Sequence, residues 1–539
     1  MFKKTLAIII TVCLAGLSAG GCGNSVGSTP DEASSKASAE TTAAPTAAKA
    51  ETNLPKPDMT KWQYNEEDKA YYQLGIDYCE KPVDKNFEQL AIVVPAAYMD
   101  ATDNGDGTFT CKLNESATVN GYTASTAPIA IPIDTPFYAP AHTVTEYQAM
   151  WEGVTEFIEN GMVYVYPGCR GMDHGAPAGV TDLKAAIRYL RYCDDVTAGD
   201  AERIFVHGTS GGGAQAAILG ASGDSSLYDP YLKAIGAVQG VSDAVAGVMS
   251  WCPITDLDTA NAEYEWMMGC TRTGRTAEQQ AISDGLANAF PVYLNSAGFT
   301  DKDGKALTLE QSEEGIYQAG SYYDYVKSEI ERSLNNYLSD TNFKTVSVDE
   351  YINRLNKDTK WVNYDKATNT ATITSIADFA KCCKQASEFV VAFDPPTTSI
   401  TLFGFGDGKG VHFDKILGDV LAEQHSEYAY AYANDLKRTD SYGNTVEQRM
   451  NMYTPLYYLM PTREGYGTAT VAKYWRIRSG IKQTQTSVTT EINLALALEH
   501  CDGVESVDFE TVWEQEHGMA ERSGYYKVNY SEWINQITK

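Results

Sequence analysis

The stretch Arg203-Ile-Phe-Val-His-Gly-Thr-Ser-Gly-Gly-Gly213 decides the fold. The apolar residues 204–206 predict a short buried strand, and the small residues that follow Gly213 predict a helix. Ser210 therefore stands at the apex of a strand-to-helix turn, in the pattern Gly-x-Ser-x-Gly that positions a nucleophile. Such a turn needs glycine on both sides of the serine, because neighbouring backbone crowds it. A glycine-rich surface turn is the alternative interpretation, and the strand-helix context favours the nucleophile.

The glycine that follows the serine predicts a site for a negative charge. The amide of Gly211 opens the helix and points to the place where the oxyanion of a tetrahedral intermediate would form. The dipole of the helix favours negative charge at the same end. The turn therefore combines a nucleophile with an oxyanion donor.

The composition allows a large enzyme and excludes some partners. The chain has 539 residues, 43% of them hydrophobic, which suffices for two or three domains or for one enzyme with insertions. A net charge of -29 argues against nucleic acid and against electrostatic attachment to anionic membranes. No Cys-x-x-Cys pair or His/Cys cluster indicates a metal, no cofactor is predicted, and the cysteines are either disulfides or buried thiols.

The N-terminus predicts a bacterial lipoprotein. Residues 1–4 are basic, residues 5–17 are apolar, and Ser18-Ala-Gly-Gly-Cys22 is a small-residue cleavage site. We expect residues 1–21 to be a signal peptide and Cys22 to carry lipid, with secretion without lipid as the alternative. Residues 22–57 are poor in large apolar side chains and predict a disordered tether. The expected location is the extracellular face of a bacterial membrane, with the lipid as the only membrane contact.

The rest of the chain alternates strands with helices. Strands are predicted at 90–98, 127–133, 162–166, 204–206, 246–251, 471–478 and 506–512, and helices at 144–160, 181–191 and 487–500. This order predicts an α/β fold with a mostly parallel sheet, whose ligands bind at the carboxyl ends of the strands. We expect a core of residues 58–256 and 462–539, interrupted by a large helical lid at 257–461.

One of the seven histidines has the position of a general base. His517 alone follows the last predicted strand, after a serine turn in the middle of the chain. That chain order is the order of α/β-hydrolases, which also carry an acid between the two residues. A solvated loop histidine is the alternative.

The chain resembles the bacterial tannase and feruloyl-esterase branch of the α/β-hydrolases. The motifs that carry the resemblance run from about residue 85 to the C-terminus: Pro167-Gly-Cys-Arg-Gly171, Gly208-Thr-Ser-Gly-Gly-Gly213 with Tyr228-Asp-Pro-Tyr231, Cys252-Pro-Ile-Thr-Asp-Leu-Asp258, Tyr474-Trp-Arg-Ile-Arg478 and the segment around His517. The resemblance implies that Ser210 is the nucleophile and His517 the base. It implies an oxyanion hole formed by Gly211 and the loop 134–138, which includes Thr135.

The chain departs from this family at the acid. Where such enzymes carry aspartates after the Arg476-Ile-Arg-Ser-Gly480 strand, this sequence has Gln483 and Gln485. An amide can orient an imidazole but cannot stabilise imidazolium by charge, which costs a serine protease roughly four powers of ten in rate. Asp256 could replace the acid, Glu514 or Glu516 could approach His517, or the enzyme could use a Ser-His pair with a neutral glutamine.

The sequence is compatible with two functions. The first is a secreted, membrane-tethered serine carboxylic-ester hydrolase acting on a small-molecule ester, and the tyrosine-rich lid favours an aromatic one. The second is a catalytically degenerate hydrolase fold that binds a ligand or partner at the cell surface. The sequence leaves the oligomeric state open.

Overall fold

The structure, a computed structural model, describes residues 50–150, 153–312, 317–386 and 402–539. These residues belong to one compact unit. The predicted signal peptide, the lipidation site at Cys22 and most of the predicted tether lie outside the described residues. No helix within them is long and apolar enough to cross a bilayer.

Nine strands form the central sheet, in the order β1-β2-β3-β7-β6-β8-β9-β12-β13. Its strands β6 to β9, β12 and β13 are parallel to one another, while β1, β2 and β3 form an antiparallel edge that pairs with β7 through β3. The strands are β1 Gln63–Asn65, β2 Ala70–Asp77, β3 Gln89–Pro95, β4 Met99–Asp103, β5 Phe109–Leu113, β6 Ile129–Ile133, β7 Val163–Pro167, β8 Ile204–Thr209, β9 Gly247–Trp251, β10 Val362–Asp365, β11 Thr370–Ile373, β12 Tyr474–Gly480 and β13 Ser506–Val512. The predicted α/β fold with a mostly parallel sheet is confirmed.

Helices cover both faces of this sheet. They are α1 Thr155–Glu159, α2 Ala178–Cys193, α3 Gly211–Ala221, α4 Asp229–Ala234, α5 Ala260–Met268, α6 Ala277–Ala297, α7 Ser321–Asp340, α8 Val348–Leu355, α9 Ile376–Cys383, α10 Lys415–Glu423, α11 Ala429–Asp435, α12 Val446–Met452, α13 Pro455–Leu459, α14 Val488–Glu499 and α15 Tyr526–Thr538. Ile204 and Val206 of β8 belong to the apolar cluster with α2, α3 and α14, whereas Phe205 between them packs with α1 and α15. This alternation follows from the two-residue period of a strand.

The large insertion lies between β9 and β12. Its described parts contain α5 to α13 and the antiparallel pair β10 and β11. The insertion is tied to the sheet domain by hydrogen bonds, such as that from the Tyr228 hydroxyl to the carbonyl of Met452 at 2.6 Å. The lid bounds 257–461 remain a prediction from sequence.

Two local predictions differ from the structure. The helix expected at 144–160 is reduced to α1, because Gly153 adopts a φ of +68° that ends any helix there. The end of the predicted tether, residues 50–57, packs on the folded unit. Leu54 is buried there, and the hydroxyl of Tyr189 donates to the carbonyl of Pro55 at 2.8 Å. A single apolar side chain and backbone hydrogen bonds thus order residues whose composition predicts disorder.

Candidate active site

Ser210 lies between β8 and α3 in a strained backbone conformation. Its φ of 60° and ψ of -123° belong to a region that non-glycine residues rarely adopt. The Ser210 amide donates to the carbonyl of Trp251 at 3.0 Å, which fixes the turn to the end of β9. A Cβ on Gly208 would lie 2.5 Å from the carbonyl carbon of Gly212, so the spacing of the glycines is a steric requirement. The serine is thereby presented at the carboxyl edge of the sheet.

Gly211 and Thr135 face each other beside the serine. A Cβ on Gly211 would lie 2.7 Å from the carbonyl oxygen of Thr135, so the two backbones are in close contact. Within the described residues neither amide donates a hydrogen bond. The Thr135 hydroxyl donates to Gln215 Oε1 at 2.9 Å, which holds the loop on α3. Two unused amides next to a nucleophile are the arrangement that stabilises an oxyanion.

The loop that carries His517 reaches the same edge of the sheet. The thiol of Cys252 donates to the carbonyl of Gly518 at 3.3 Å and accepts from the amide of Gly480 at 3.4 Å. Cys252 directly follows Trp251, which holds the Ser210 amide. Consecutive residues at the end of β9 therefore anchor both the nucleophile turn and the histidine loop.

A cavity of about 320 Å³ lies beside the nucleophile turn. Its walls include Thr135 and Pro136 from the loop after β6, Thr209 before Ser210, and Met519 after His517. Cavities of this size in proteins accommodate small ligands. Ser210 and His517 are not among the lining residues, so the cavity adjoins the nucleophile turn without containing the reacting side chains.

His517 has a lowered pKa, and no described carboxylate shares a hydrogen bond with it. Burial lowers the pKa of its imidazole, and the ammonium group of Lys384 lowers it further. Its Nδ1 atom is buried and makes no hydrogen bond to any described residue. No hydrogen bond joins His517 to Ser210 Oγ in the described part of the chain. The imidazole can accept a proton, but no described carboxylate stabilises the imidazolium that would form.

Asp256, the predicted triad acid, shares no hydrogen bond with His517 among the described residues. Its carboxylate accepts hydrogen bonds from the Thr255 hydroxyl at 2.9 Å and from the amide of Leu456 at 3.4 Å. Its carbonyl oxygen accepts the first amide of α5, that of Ala260, at 3.0 Å. Burial raises the pKa of this carboxyl well above its ordinary range. These contacts agree with the alternative interpretation of Asp256 as a residue that holds its loop by hydrogen bonds, and its role as the acid stays a prediction.

The two glutamates before His517 are also directed elsewhere. Glu514 accepts hydrogen bonds from the Tyr351 hydroxyl and from Lys482. Glu516 is exposed, and its carbonyl oxygen packs on Gly480. Neither carboxylate shares a hydrogen bond with the imidazole.

Gln483 is buried and engaged with its own loop. Its Oε1 accepts the amides of Gln485 at 2.9 Å and Thr486 at 3.0 Å, and its Nε2 donates to Glu491 Oε1 at 3.2 Å. Gln485 is exposed. Glu491, in the first turn of α14, also accepts from the Ser479 hydroxyl at 3.0 Å. The position of the expected acid is thus an amide held by a buried glutamate.

Sequence reasoning missed Glu491 and Lys384. Lys384 follows α9, is buried, and its Nζ atom has no hydrogen-bond partner among the described residues. Burial lowers its pKa to about 8, while Glu491 and then Cys252 act in the opposite direction. Both residues look like ordinary surface charges on helices in the sequence, and no local pattern marks them. The structure places a cation, not an acid, in the electrostatic environment of His517.

The described residues contain no group of three or more His, Cys, Asp and Glu side chains that could hold a metal ion. The cysteines from Cys79 to Cys501 are free thiols, six of them buried. Of the two possibilities left open by the sequence, the structure has free thiols. The chemistry available at this edge of the sheet is that of a serine, a neutral imidazole and backbone amides.

Comparisons with known proteins agree with this geometry. The family BD-FAE matches residues 123–297, which contain Ser210 and Thr135. Tannin acyl hydrolase from Lactobacillus plantarum is 28% identical, covers 87% of this chain and 94% of its own, and has a TM-score of 0.68. Fusobacterium nucleatum tannase is 27% identical over 87% of this chain and 95% of its own, with a TM-score of 0.70. A tannin acyl hydrolase in complex with ethyl gallate is similar at 28% identity, with the same coverage as the Lactobacillus plantarum enzyme and a TM-score of 0.68.

No curated protein matches the sequence. The family match covers the nucleophile turn at Ser210, and the structural similarity extends over most of the chain at sequence identities above 25%. The sheet order, the serine turn and these similarities together show an α/β-hydrolase fold that is similar to the bacterial tannases and, over residues 123–297, to the BD-FAE family.

Proposed function

We propose that the protein is a serine carboxylic-ester hydrolase with Ser210 as its nucleophile. The observation that carries the proposal is the strained backbone of Ser210, held between β8 and α3 with unused amides of Gly211 and Thr135 beside it. Strain of this kind persists only where the surrounding structure enforces it, and it is concentrated at functional sites. Ser210 attacks the ester carbonyl, and the two amides stabilise the oxyanion.

His517 is the general base of the proposed reaction. It accepts the proton of Ser210, returns it to the leaving alcohol, and then activates the water that releases the acyl group. Its lowered pKa keeps it unprotonated at neutral pH. Because the described residues give its imidazolium no carboxylate partner, we expect slower turnover than in an enzyme with a complete triad. Ser210 and His517 would act as a pair.

The proposed substrate is a small ester with an aromatic ring. The cavity of about 320 Å³ beside Ser210 has the size for such a molecule. A similar tannin acyl hydrolase has been solved with ethyl gallate and with 3,4-dihydroxybenzoate. Neither a metal nor a cofactor takes part in the proposed reaction.

We also propose that the protein is a lipoprotein on the extracellular face of a bacterial membrane. Residues 1–21 would be removed as a signal peptide, and Cys22 would carry the lipid. Replacement of Cys22 by alanine should move the protein from the membrane fraction to the soluble fraction. If the Cys22→Ala variant stays in the membrane fraction, the lipid is not the anchor.

A second function is favoured by the surroundings of His517. A histidine whose Nδ1 has no hydrogen-bond partner among the described residues, and whose pKa is lowered by a lysine, fits a degenerate hydrolase that binds an ester or acid without cleaving it. Such a protein would retain the cavity beside Ser210 and lose the chemistry.

Labelling with a fluorophosphonate probe separates the two functions. The probe reacts with an activated serine, so the hydrolase should be labelled, and the Ser210→Ala variant should not. Hydrolysis of ethyl benzoate should disappear in the same variant. A folded wild-type protein that binds ethyl benzoate but is neither labelled nor able to hydrolyse it would be the degenerate binder.

A further inference from the structure

The loop that follows β6 holds two aromatic residues in the left-handed region. Phe137 has a φ of 55° and Tyr138 a φ of 58°. This conformation is unfavourable for residues with a Cβ, and two in succession are uncommon. Glycine or asparagine would remove much of the strain. The aromatic side chains must therefore be compensated by some interaction.

The strained backbone conformation of Tyr138 is stabilised by contacts within the fold. It is buried, and its hydroxyl donates to the carbonyl of Ile254, after β9. Its amide donates to the carbonyl of Thr135 at 2.9 Å. These contacts hold the loop rigidly on both sides of the residue before it.

The side chain of Phe137 is not buried in the way that Tyr138 is. It is 75% exposed, among the most exposed large apolar side chains that the structure describes. Its backbone is nevertheless fixed next to the nucleophile turn, because its amide nitrogen lies 3.2 Å from the place of a Cβ on Gly211. The preceding residue, Pro136, lines the cavity beside Ser210. The strained backbone of Phe137 is thus held next to the oxyanion site, and its exposed ring follows a residue of the cavity wall.

We propose that Phe137 is a specificity-determining residue that packs against the ring of an aromatic ester bound at Ser210. Aromatic rings pack favourably face to edge or offset, and the ring loses little freedom because its backbone is already fixed. The inference rests on the proposed ester hydrolysis and adds to it the residue that selects aromatic over aliphatic esters. The ring can belong to the acyl group or to the alcohol.

The test compares three esters in the wild type and in Phe137→Ala. Ethyl benzoate carries its ring on the acyl side, phenyl acetate carries it on the alcohol side, and ethyl butyrate has none. We expect kcat/KM to fall about tenfold for at least one aromatic ester and less than twofold for ethyl butyrate. The aromatic ester that is affected identifies the side of the ester that Phe137 contacts. Equal losses for all three esters, or no loss, would overturn the proposal.

Two control variants separate recognition from folding. Tyr430 is 78% exposed on α11, so Tyr430→Ala removes a ring of equal exposure and should leave all three rates unchanged. Phe137→Tyr keeps the ring and should retain the preference. Phe137→Ala keeps the left-handed backbone and loses no buried contact, so its Tm should equal that of the wild type. A lower Tm together with equal losses for every ester would mean that Phe137 is structural.

Binding measurements distinguish failure of this proposal from failure of the proposed hydrolysis. In the Ser210→Ala background, titration with ethyl benzoate and phenyl acetate reports recognition without turnover. Weaker binding of either after Phe137→Ala supports the inference even if the wild type hydrolyses nothing. Unchanged binding of both, with hydrolysis that depends on Ser210, would leave the esterase standing and remove Phe137 from recognition.

Discussion

Replacing Lys384 by methionine should stabilise the protein and alter its chemistry at the same time. The side chain is buried, and its Nζ atom has no hydrogen-bond partner among the described residues. A buried ammonium without such partners is costly, which is why burial lowers its pKa from 10.5 to about 8. Methionine has a similar length and no charge. The variant therefore removes a penalty without opening a cavity.

The size of the effect follows from the pKa shift. Lowering the pKa from 10.5 to about 8 corresponds to about 3 kcal/mol. A lysine whose folded-state pKa is depressed weakens the fold at pH values below the folded pKa. That penalty declines as the pH rises from about 8 to 10.5, because the unfolded chain also loses its proton there. We expect Lys384→Met to raise the free energy of unfolding by up to about 3 kcal/mol at pH 7, less whatever Glu491 loses with its cation.

The assay is urea denaturation at pH 7 and at pH 10, combined with the pH dependence of ester hydrolysis. The stabilisation should shrink at pH 10. Loss of the ammonium should also raise the pKa of His517, because Lys384 lowers it in the wild type. The acidic limb of kcat/KM should therefore move to higher pH. A variant that is less stable than the wild type at pH 7 would refute the argument, since it would mean that Lys384 has a stabilising partner.

Three further substitutions test the site and its support. Gly211→Ala places a Cβ 2.6 Å from the amide nitrogen of Tyr138, so the oxyanion loop must shift, and we expect kcat to fall about 100-fold with little change in far-UV circular dichroism. Asp256→Asn should change kcat less than threefold, because the carboxylate shares no hydrogen bond with His517; a loss near 10⁴-fold would identify it as the triad acid. Burial raises the pKa of Glu263 from 4.5 to about 7. The carboxyl of Glu263 should therefore cost the wild type about 3 kcal/mol of stability as the pH rises from 4.5 to 7. Urea titrations of Glu263→Gln should show that this part of the pH dependence has disappeared.

The parts of the fold that follow from local pattern were accessible from the sequence. Ser210 could be located because its turn needs glycines at fixed spacing, and both ends of β13 could be predicted from the alternation of its apolar residues. Gly153 shows the limit of periodicity. The apolar spacing at 144–160 is helical, yet one glycine with positive φ leaves only α1.

The acid could not be resolved from sequence because its replacement depends on contacts between distant segments. Lys384 and Glu491 lie 107 positions apart, in the insertion and in the last part of the core. A lysine or a glutamate near a helix end reads as solvated surface, and only the fold shows that both are buried. Asp256 was a reasonable candidate by its place after β9, but its carboxylate accepts its hydrogen bonds from Thr255 and from the distant Leu456.

The electrostatics of His517 set the kind of activity to expect. A depressed pKa keeps the imidazole available as a base at pH values below its ordinary 6.5, so the onset of activity should lie on the acidic side. The same burial and the same lysine disfavour the imidazolium that forms in the transition state, so the ceiling of the rate should be low. Activity that begins at low pH and a low maximal rate have the same cause, which is the burial of His517 near the cation of Lys384. If a carboxylate were the partner of His517, activity would instead begin at a higher pH and the maximal rate would be higher.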